Sequence, residues 1–478
     1  MPKTILVWFR NDLRIRDNET LHQAAQDADH IIPIYCFDPR QFAQTKQHNF
    51  PKTGTFRTNF LLESVQDLRY SLQDLGGDLI IRTGKPEAII YSLAKYYDVD
   101  AVYCQEEVCS EELAVEAQLE RNLATQNIPL HIFWTSTMYH FDDLPMDIDA
   151  LPDIFTQFRK TVEAKSTIQD AYPLPTALQL PPNIDKGDLP TPIQLGFEAD
   201  FTPKQKNKHF KGGETAALQR LKHYFWNTDA LQVYKETRNG LLGLDYSSKF
   251  SPYLALGCIS PKTIYWEVQK YEKERIKNKS TYWLLFELIW RDYFRFVAVK
   301  YGDAIFKPKG IKNIEIDAKV NPLYIEKWQQ GETGIPFIDA NMKELNATGF
   351  MSNRGRQNVA SFLVKDLQLP WRIGAEYFES LLLDYDPCSN YGNWNYIAGI
   401  GNDPRENRYF NILKQARQYD PDGTYVKHWL PALNSLPSTR VHKPYLLNKT
   451  EQLYVKVHLG KHYPLPCFDV TTWHSKNS

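Results

Sequence analysis

The first 135 residues alternate short apolar runs with longer helical patterns, and this alternation limits the folds open to the chain. Five apolar runs rich in branched residues are predicted as strands, at 5–9, 31–37, 79–81, 101–104 and 131–134. Helical patterns lie between strands, at 60–75, 87–97 and 111–125. Strands that alternate with helices favour a parallel sheet with helices on both faces. We therefore predict a doubly wound α/β domain over residues 1–135.

The pattern changes after residue 135. Residues 136–210 carry nine prolines and few long apolar runs, which indicates a proline-rich connector on the surface. From 211 to 478 the periodicity is helical, with segments at 215–224, 263–271, 282–299, 358–367 and 373–382. The chain is thus predicted to contain an α/β domain, a connector and an all-helical C-terminal domain.

Composition and local motifs argue against several classes of protein. The net charge is −1, so contact with nucleic acid would need a local basic patch. The six cysteines show no metal-type spacing, which favours a reducing compartment and no metal. No apolar run approaches the ~18 residues of a membrane span, and a strand is predicted near residue 4, so we expect a cytoplasmic protein without a targeting peptide. The turn at 10–14 is not glycine-rich, which argues against an NAD dehydrogenase or an ATPase.

Residues 344–411 carry an unusual density of polar side chains. Arginines, asparagines, aromatic rings and an Asp-x-Asp pair surround the apolar run 381–383. A plain helical core would instead alternate apolar and solvated positions at the helical period. Because burying so many polar groups is costly unless each has a partner, a bound polar ligand with a flat ring system is expected here.

This run resembles the flavin-binding core of the photolyase/cryptochrome family, and its DASH branch in particular. The resemblance begins with the segment VWFRNDLR at 7–14 and extends over almost the whole chain. It implies bound FAD, a DNA substrate, and light-driven splitting of cyclobutane pyrimidine dimers by an electron from reduced flavin. It also implies a monomer built from an α/β domain and a helical FAD-binding domain.

By this resemblance, the cofactor contacts fall on Tyr234, Ser247, Ser248, Lys249, Phe250, Ser251, Arg291, Asn353, Arg356, Asp384, Asp386 and Asn390. Arg356 is expected to pair with Asp384, and Asn390 to face the flavin N5, where an amide can donate or accept. The residues alone leave alternatives open. Ser251 could simply cap a helix that Pro252 begins, and the Asp-x-Asp pair is also a magnesium pattern.

The resemblance places a pocket for the flipped pyrimidine dimer at Glu287, Trp290, Gln357 and Tyr396. On spacing alone, Glu287 could instead form a surface ion pair with Arg291, four residues later. Related double-strand enzymes carry an apolar residue at position 357 and a tryptophan at position 396. A tyrosine offers less stacking area, which leaves less binding energy to offset flipping a lesion out of a duplex.

We therefore expect repair chiefly in single-stranded or looped DNA. Two alternatives remain open: a DNA-binding blue-light photoreceptor that modulates transcription with little repair, and a flavoprotein or nucleotide-binding scaffold without photochemistry.

Trp394 and Trp371, 23 residues apart, match the inner two members of the family's tryptophan electron chain. Core packing is the alternative for each. The outer member is missing, because residues 311–324 contain no tryptophan and Ala318 falls near the expected place. Photoreduction of oxidised flavin is therefore expected to be impaired, with Tyr324 as a possible substitute.

Glu106 and Glu107 follow the fourth predicted strand. They match the segment that holds a second chromophore in the DASH branch, the folate 5,10-methenyltetrahydrofolate. A carboxylate there could hydrogen-bond the pterin. Acidic residues that merely lie on the surface at a strand end are the alternative explanation.

Overall fold

The computed structural model describes residues 2–198, 210–405 and 408–470. Its N-terminal part contains a five-stranded sheet made of β1 (Thr4–Phe9), β2 (His30–Phe37), β3 (Ile80–Thr83), β4 (Ala101–Gln105) and β5 (Leu130–Phe133). The strand order is β3-β2-β1-β4-β5, and all four neighbouring pairs are parallel. The predicted doubly wound parallel sheet is therefore confirmed, and each strand lies within two residues of its predicted bounds.

The helices of the described residues follow and separate these strands. Those associated with the sheet are α1 (Glu19–Asp27), α2 (Thr55–Asp74), α3 (Pro86–Tyr96) and α4 (Ser110–Ala124). The remaining helices are α5 (Phe155–Lys165), α6 (Glu214–Lys222), α7 (Tyr234–Thr237), α8 (Ser251–Ala255), α9 (Pro261–Glu274), α10 (Lys279–Tyr301), α11 (Pro322–Gln330), α12 (Pro336–Thr348), α13 (Asn353–Ser361), α14 (Trp371–Leu381), α15 (Pro387–Ala398), α16 (Ile412–Tyr419), α17 (Thr424–Trp429), α18 (Ser438–Val441) and α19 (Lys449–Val455). The predicted helical character of the C-terminal part is confirmed.

Strand β1 lies at the centre of the sheet and is buried along its whole length. Its side chains alternate between the two faces, as the pleat requires. Leu6 and Trp8 pack with residues of α3 and α4, whereas Ile5, Val7 and Phe9 belong to a core that continues through α2 into the helical part. Burial on both faces explains why the strand is a continuous apolar run.

The segment predicted as a surface connector contains a helix that the prolines had obscured. In α5, the side chains of Phe155, Phe158 and Val162 are buried. The ring of Phe158 lies 5.1 Å from that of Tyr293 in α10. This part of the connector therefore belongs to the core, while its residues 199–209 lie outside the described part of the chain.

A buried carboxylate on α10 joins the helical part to the segment that follows β5. Asp292 is fully buried and accepts hydrogen bonds from the backbone N–H groups of Met138 (2.9 Å) and Tyr139 (3.0 Å). Burial raises the pKa of Asp292 to about 7, although the two N–H groups and Arg291 act to lower it. These bonds fix the position of α10 relative to the sheet. None of the described helices is both long and apolar enough to cross a membrane.

Asp292→Ala is expected to lower the free energy of unfolding by about 3 kcal/mol, because two buried N–H groups lose their acceptor. Urea denaturation followed by circular dichroism measures the change. Asp149→Ala, which removes an exposed carboxylate, is the control and should change stability by less than about 0.5 kcal/mol. Equal effects of the two substitutions would contradict this account of Asp292.

Candidate functional site

A cavity of about 300 Å³ lies within the helical part, between α7, α8, α10, α13 and α15. All twelve residues that were expected to contact the cofactor line its wall: Tyr234, Ser247, Ser248, Lys249, Phe250, Ser251, Arg291, Asn353, Arg356, Asp384, Asp386 and Asn390. Five separate stretches of sequence thus converge on one space. Their roles toward a ligand remain predictions, but their common location is a property of the structure.

The turn before α8 is held by an arginine that the sequence reading missed. Arg220 of α6 donates hydrogen bonds to the backbone oxygens of Ser247 and Ser248, both at 2.9 Å, and pairs with Asp245 at 2.6 Å. Helix α8 begins at Ser251 and its cap residue is Phe250, and no side chain in the described part of the chain caps it. The simple reading of Ser251 as a helix cap is therefore wrong.

Lys249 is 6% exposed and adopts a left-handed backbone conformation with φ of 59°. Its ammonium lies 3.4 Å from the ring centroid of Tyr246 and 4.5 Å from that of Phe350. Burial lowers the pKa of Lys249 to about 7, although the nearby Glu344 opposes this shift. A buried cation held by two rings, beside the backbone of the 247–251 turn, suits an anionic group in the cavity.

The two carboxylates of the Asp-x-Asp pair are both engaged by protein donors. Arg356 pairs with Asp384 at 2.8 Å, as expected, and Asp386 caps α15 by accepting from the backbone N–H of Ser389 at 3.0 Å. Within the described ranges, no group of three or more metal-ligating residues comes together. The magnesium reading of this pair therefore has no support in the geometry.

Two polar atoms of the cavity wall lack partners. The second oxygen of Asp384 and the indole N–H of Trp394 are buried without a hydrogen bond among the described residues. Buried polar atoms are nearly always paired, so each such exception needs an explanation. Both residues line the cavity, so a polar ligand bound there is one explanation for the unpaired atoms.

Helix α15 brings Asn390 and Trp394 to the cavity. The amide of Asn390 donates to the backbone oxygen of Ala375 at 3.0 Å, which fixes its orientation. The Trp394 ring packs so closely against α14 that a Cβ at Gly374 would lie 2.1 Å from it. Trp371, one turn earlier on α14, lies outside the cavity lining. It donates to the backbone oxygen of Pro308 at 2.9 Å.

The four residues expected to bind the dimer form two pairs. Glu287 and Gln357 line the cavity, whereas Trp290 and Tyr396 are not part of its lining. The rings of Trp290 and Tyr396 contact each other edge to face at 5.9 Å. Trp290 also stacks on Phe155 of α5 at 3.6 Å. Because Glu287 and Trp290 lie one turn apart on α10, the two pairs are adjacent.

Two further arginines hold these residues, and neither was found from the sequence. Arg238 pairs with Glu287 at 2.5 Å, so the i, i+4 pair of Glu287 with Arg291 is wrong. Burial raises the pKa of Glu287, while Arg238 opposes the shift. Arg408 donates to the Tyr396 hydroxyl at 2.7 Å and also pairs with Asp403.

Arg291 itself donates to the backbone oxygens of Ser136 and Leu254. No sequence signal marks the pairing of Arg238 with Glu287, because the two residues are 49 positions apart.

Glu106 and Glu107 lie after β4, beside β1, where the order of the sheet reverses. Ligands of open α/β sheets bind at such a point. Glu107 is buried and already paired with Arg295 at 3.0 Å and with the Asn11 amide at 2.9 Å. The Glu106 carboxyl makes no hydrogen bond with any described residue, and burial raises its pKa to about 7. Of the two, Glu106 is therefore free to meet a ligand.

The chain matches two family models. Residues 5–180 match the model described as DNA photolyase, and residues 283–478 match the FAD binding domain of DNA photolyase. It is 54% identical to Cryptochrome DASH of Gloeobacter violaceus over 468 residues. The matched region covers 98% of this chain and 93% of the relative.

Two solved structures are also similar. The cryptochrome of Synechocystis sp. PCC6803 has 52% identity and a TM-score of 0.95, with 100% of this chain and 98% of that chain covered. A class III photolyase from Agrobacterium tumefaciens has 28% identity and a TM-score of 0.89, with 100% and 96% covered.

The purified protein is expected to be yellow and to hold one non-covalent FAD. Asp384→Ala should weaken FAD binding at least about tenfold, because Arg356 loses its partner and a buried acceptor disappears. Titration of the apoprotein with FAD, followed by flavin fluorescence, measures the affinity. Asp303→Ala, at an exposed position outside the cavity, should leave it unchanged. An unaltered affinity of the Asp384 variant would remove this carboxylate from the site.

Proposed function

The chain belongs to the DASH branch of the photolyase/cryptochrome family, and on this premise we propose that it is a deoxyribodipyrimidine photolyase. In this proposal it binds FAD and DNA and splits cyclobutane pyrimidine dimers under blue light, preferentially in single strands. The observation that carries the proposal is the convergence of the twelve predicted cofactor residues, Glu287 and Gln357 on one cavity.

The residues of the cavity fit FAD. Lys249 and the backbone of the 247–251 turn would hold the diphosphate, Arg356 and the unpaired oxygen of Asp384 would hold polar edges of the cofactor, and Asn390 would face the flavin ring. Bound FAD, once reduced and excited by light, supplies one electron to the dimer and takes it back after the ring opens. The protein orients the cofactor and keeps water from the reacting groups.

Glu287 is the group placed to hydrogen-bond a pyrimidine. An ionised carboxyl would accept from the N–H of a base, and a protonated one would donate to a carbonyl oxygen. Burial favours the protonated form of Glu287, and the ion pair with Arg238 favours the ionised form. Arg238 therefore sets which of the two contacts Glu287 offers.

The preference for single strands rests on Tyr396. Its ring meets Trp290 edge to face, and its hydroxyl is held by Arg408, so it is a fixed surface of modest area. Unpairing and flipping a lesion from a duplex costs a few kcal/mol, and base–aromatic stacking returns roughly 1–3 kcal/mol per base. A small stacking surface thus favours substrates in which the dimer is already unpaired.

The proposal also covers the antenna, the oligomeric state and the location of the protein. Glu106, with its free carboxyl, is the residue proposed to bind a folate antenna such as 5,10-methenyltetrahydrofolate. The protein is proposed to act as a monomer. A cytoplasmic location is proposed because all six cysteines are free, which suits a reducing compartment.

Repair under blue light should be faster on single-stranded or looped DNA than on an intact duplex. Loss of dimers from matched oligonucleotides, one carried as a single strand and one annealed, measures the two rates. Salt should weaken binding to damaged and undamaged DNA of the same strandedness alike, because phosphate contacts carry no information about the lesion. Equal rates would contradict the role given to Tyr396. Absence of repair on either substrate, with FAD bound and reduced, would favour the photoreceptor alternative. The relatives that are named cryptochromes are the reason to consider that alternative.

Tyr396→Trp is expected to raise the rate of duplex repair, because the larger ring adds stacking area against the flipped dimer. Single-strand repair should change little. The ratio of duplex to single-strand rates is the measurement. Tyr96→Trp, at a side chain that is 78% exposed on α3, is the matched control. A ratio that stays constant in Tyr396→Trp would show that stacking at this position does not limit duplex repair.

A further inference from the structure

The two tryptophans that match the inner electron chain end inside the protein. Trp394 lines the cavity and packs on α14 at Gly374, one turn after Trp371. Trp371 is 3% exposed, so an oxidised Trp371 has no direct contact with an external reductant. Ala318, near the expected place of the outer tryptophan, has no oxidisable side chain. An electron taken from Trp394 must therefore be replaced by another group close to Trp371.

Tyr391 is that neighbour. It lies on α15, one turn before Trp394, and its ring centroid is 6.0 Å from that of Trp371. It is 7% exposed. Among the described residues its other ring contact is Phe306, at 4.7 Å, and a phenylalanine ring is much harder to oxidise than a phenol. Tyr324, in contrast, is only half-buried and makes no ring contact with the described part of the chain. The structure thus gives no support to Tyr324 as the substitute.

Oxidation of a tyrosine at neutral pH requires a proton acceptor, because the oxidised phenol is a strong acid. The Tyr391 hydroxyl donates to Glu379 at 3.3 Å. Glu379 is buried on α14, and this burial raises its pKa, although Arg57 opposes the shift. Arg57 and the Tyr385 hydroxyl favour the ionised form of Glu379, which is the form that accepts the proton. Burial also raises the pKa of Tyr391, so the phenol is neutral before it reacts.

We propose that Tyr391 is the terminal electron donor of this protein and that Glu379 receives its proton. One electron passes from Trp394 to photoexcited oxidised flavin, Trp371 refills Trp394, and Tyr391 refills Trp371. The phenolic O–H bond breaks, the proton binds the Glu379 carboxylate, and a neutral tyrosyl radical remains. The step rests on the proposed binding of FAD, whereas repair by flavin that is already reduced does not need it.

The radical is formed in the interior, so a thiol in solution reaches it slowly. The tyrosyl radical should therefore be long-lived, and accumulation of reduced flavin should be slow even though the first electron transfer is fast.

The test uses the FAD-loaded protein and reads a radical rather than repair. Electron paramagnetic resonance after illumination should show a tyrosyl radical whose line shape changes when ring-deuterated tyrosine is incorporated. Tyr391→Phe should abolish the signal. Tyr324→Phe and Tyr377→Phe should retain it; Tyr377 is the matched control because it lies on α14, two residues before Glu379, and outside the cavity lining.

Glu379→Gln should keep the fold and slow formation of the tyrosyl radical by roughly a hundredfold, the low end for a positioned proton acceptor. Transient absorption measures this rate, with the oxidised tryptophan persisting in its place.

A tyrosyl signal that survives Tyr391→Phe, or that is lost in Tyr324→Phe or Tyr377→Phe, overturns the assignment of Tyr391. An unchanged rate in Glu379→Gln overturns the role of Glu379. Protein that binds FAD and repairs dimers without a Tyr391-dependent radical refutes this inference alone. Protein that takes up no FAD refutes the proposed function as well.

Discussion

The buried carboxylate of Asp292 lies at the point where the two halves of the protein meet. By accepting from two consecutive backbone N–H groups after β5, it fixes α10 against the sheet. The same helix then carries Glu287 and Arg291 to the cavity, and Arg295 to Glu107 beside the sheet. Because one rigid helix holds all of these groups, the cavity and the end of β4 keep a constant separation. A loose connection at Asp292 would disturb both places together.

The cavity departs from the usual organisation of a protein core. Most polar side chains of its wall are paired, such as Arg356 with Asp384 and Glu287 with Arg238. The second Asp384 oxygen and the Trp394 N–H have no hydrogen-bond partner within the described chain, and the Lys249 ammonium lies against the rings of Tyr246 and Phe350. Such groups are destabilising in an empty protein and stabilising once a ligand pairs them. The site is therefore already complementary to a polar, flat and anionic ligand.

Positions 318 and 391 show that electron donation depends on the spatial neighbours of a residue as well as on sequence motifs. A missing tryptophan at 318 could be read from the sequence, since it is the departure from a pattern. Tyr391, as a replacement, could not be read in this way. It needs both the 6.0 Å contact with Trp371 and a carboxylate from another helix at its hydroxyl. Each of these is a relation between α14 and α15 that sequence spacing does not encode.

The sequence by itself determined the parallel sheet, the helical C-terminal part and which residues meet at the cavity. The sheet and the helical part follow from short apolar runs and from a helical period of 3.6 residues, which act over short stretches of chain. The residues of the cavity were predicted through the resemblance of segments such as 247–251 and 384–390 to the family. Only the tertiary structure decided that Glu287 pairs with Arg238 instead of Arg291, that Glu107 forms an ion pair with Arg295, and that α5 belongs to the core. The reason is physical: a charge or a ring pairs with whichever group packing brings within a few ångströms, and that group is commonly dozens of residues away.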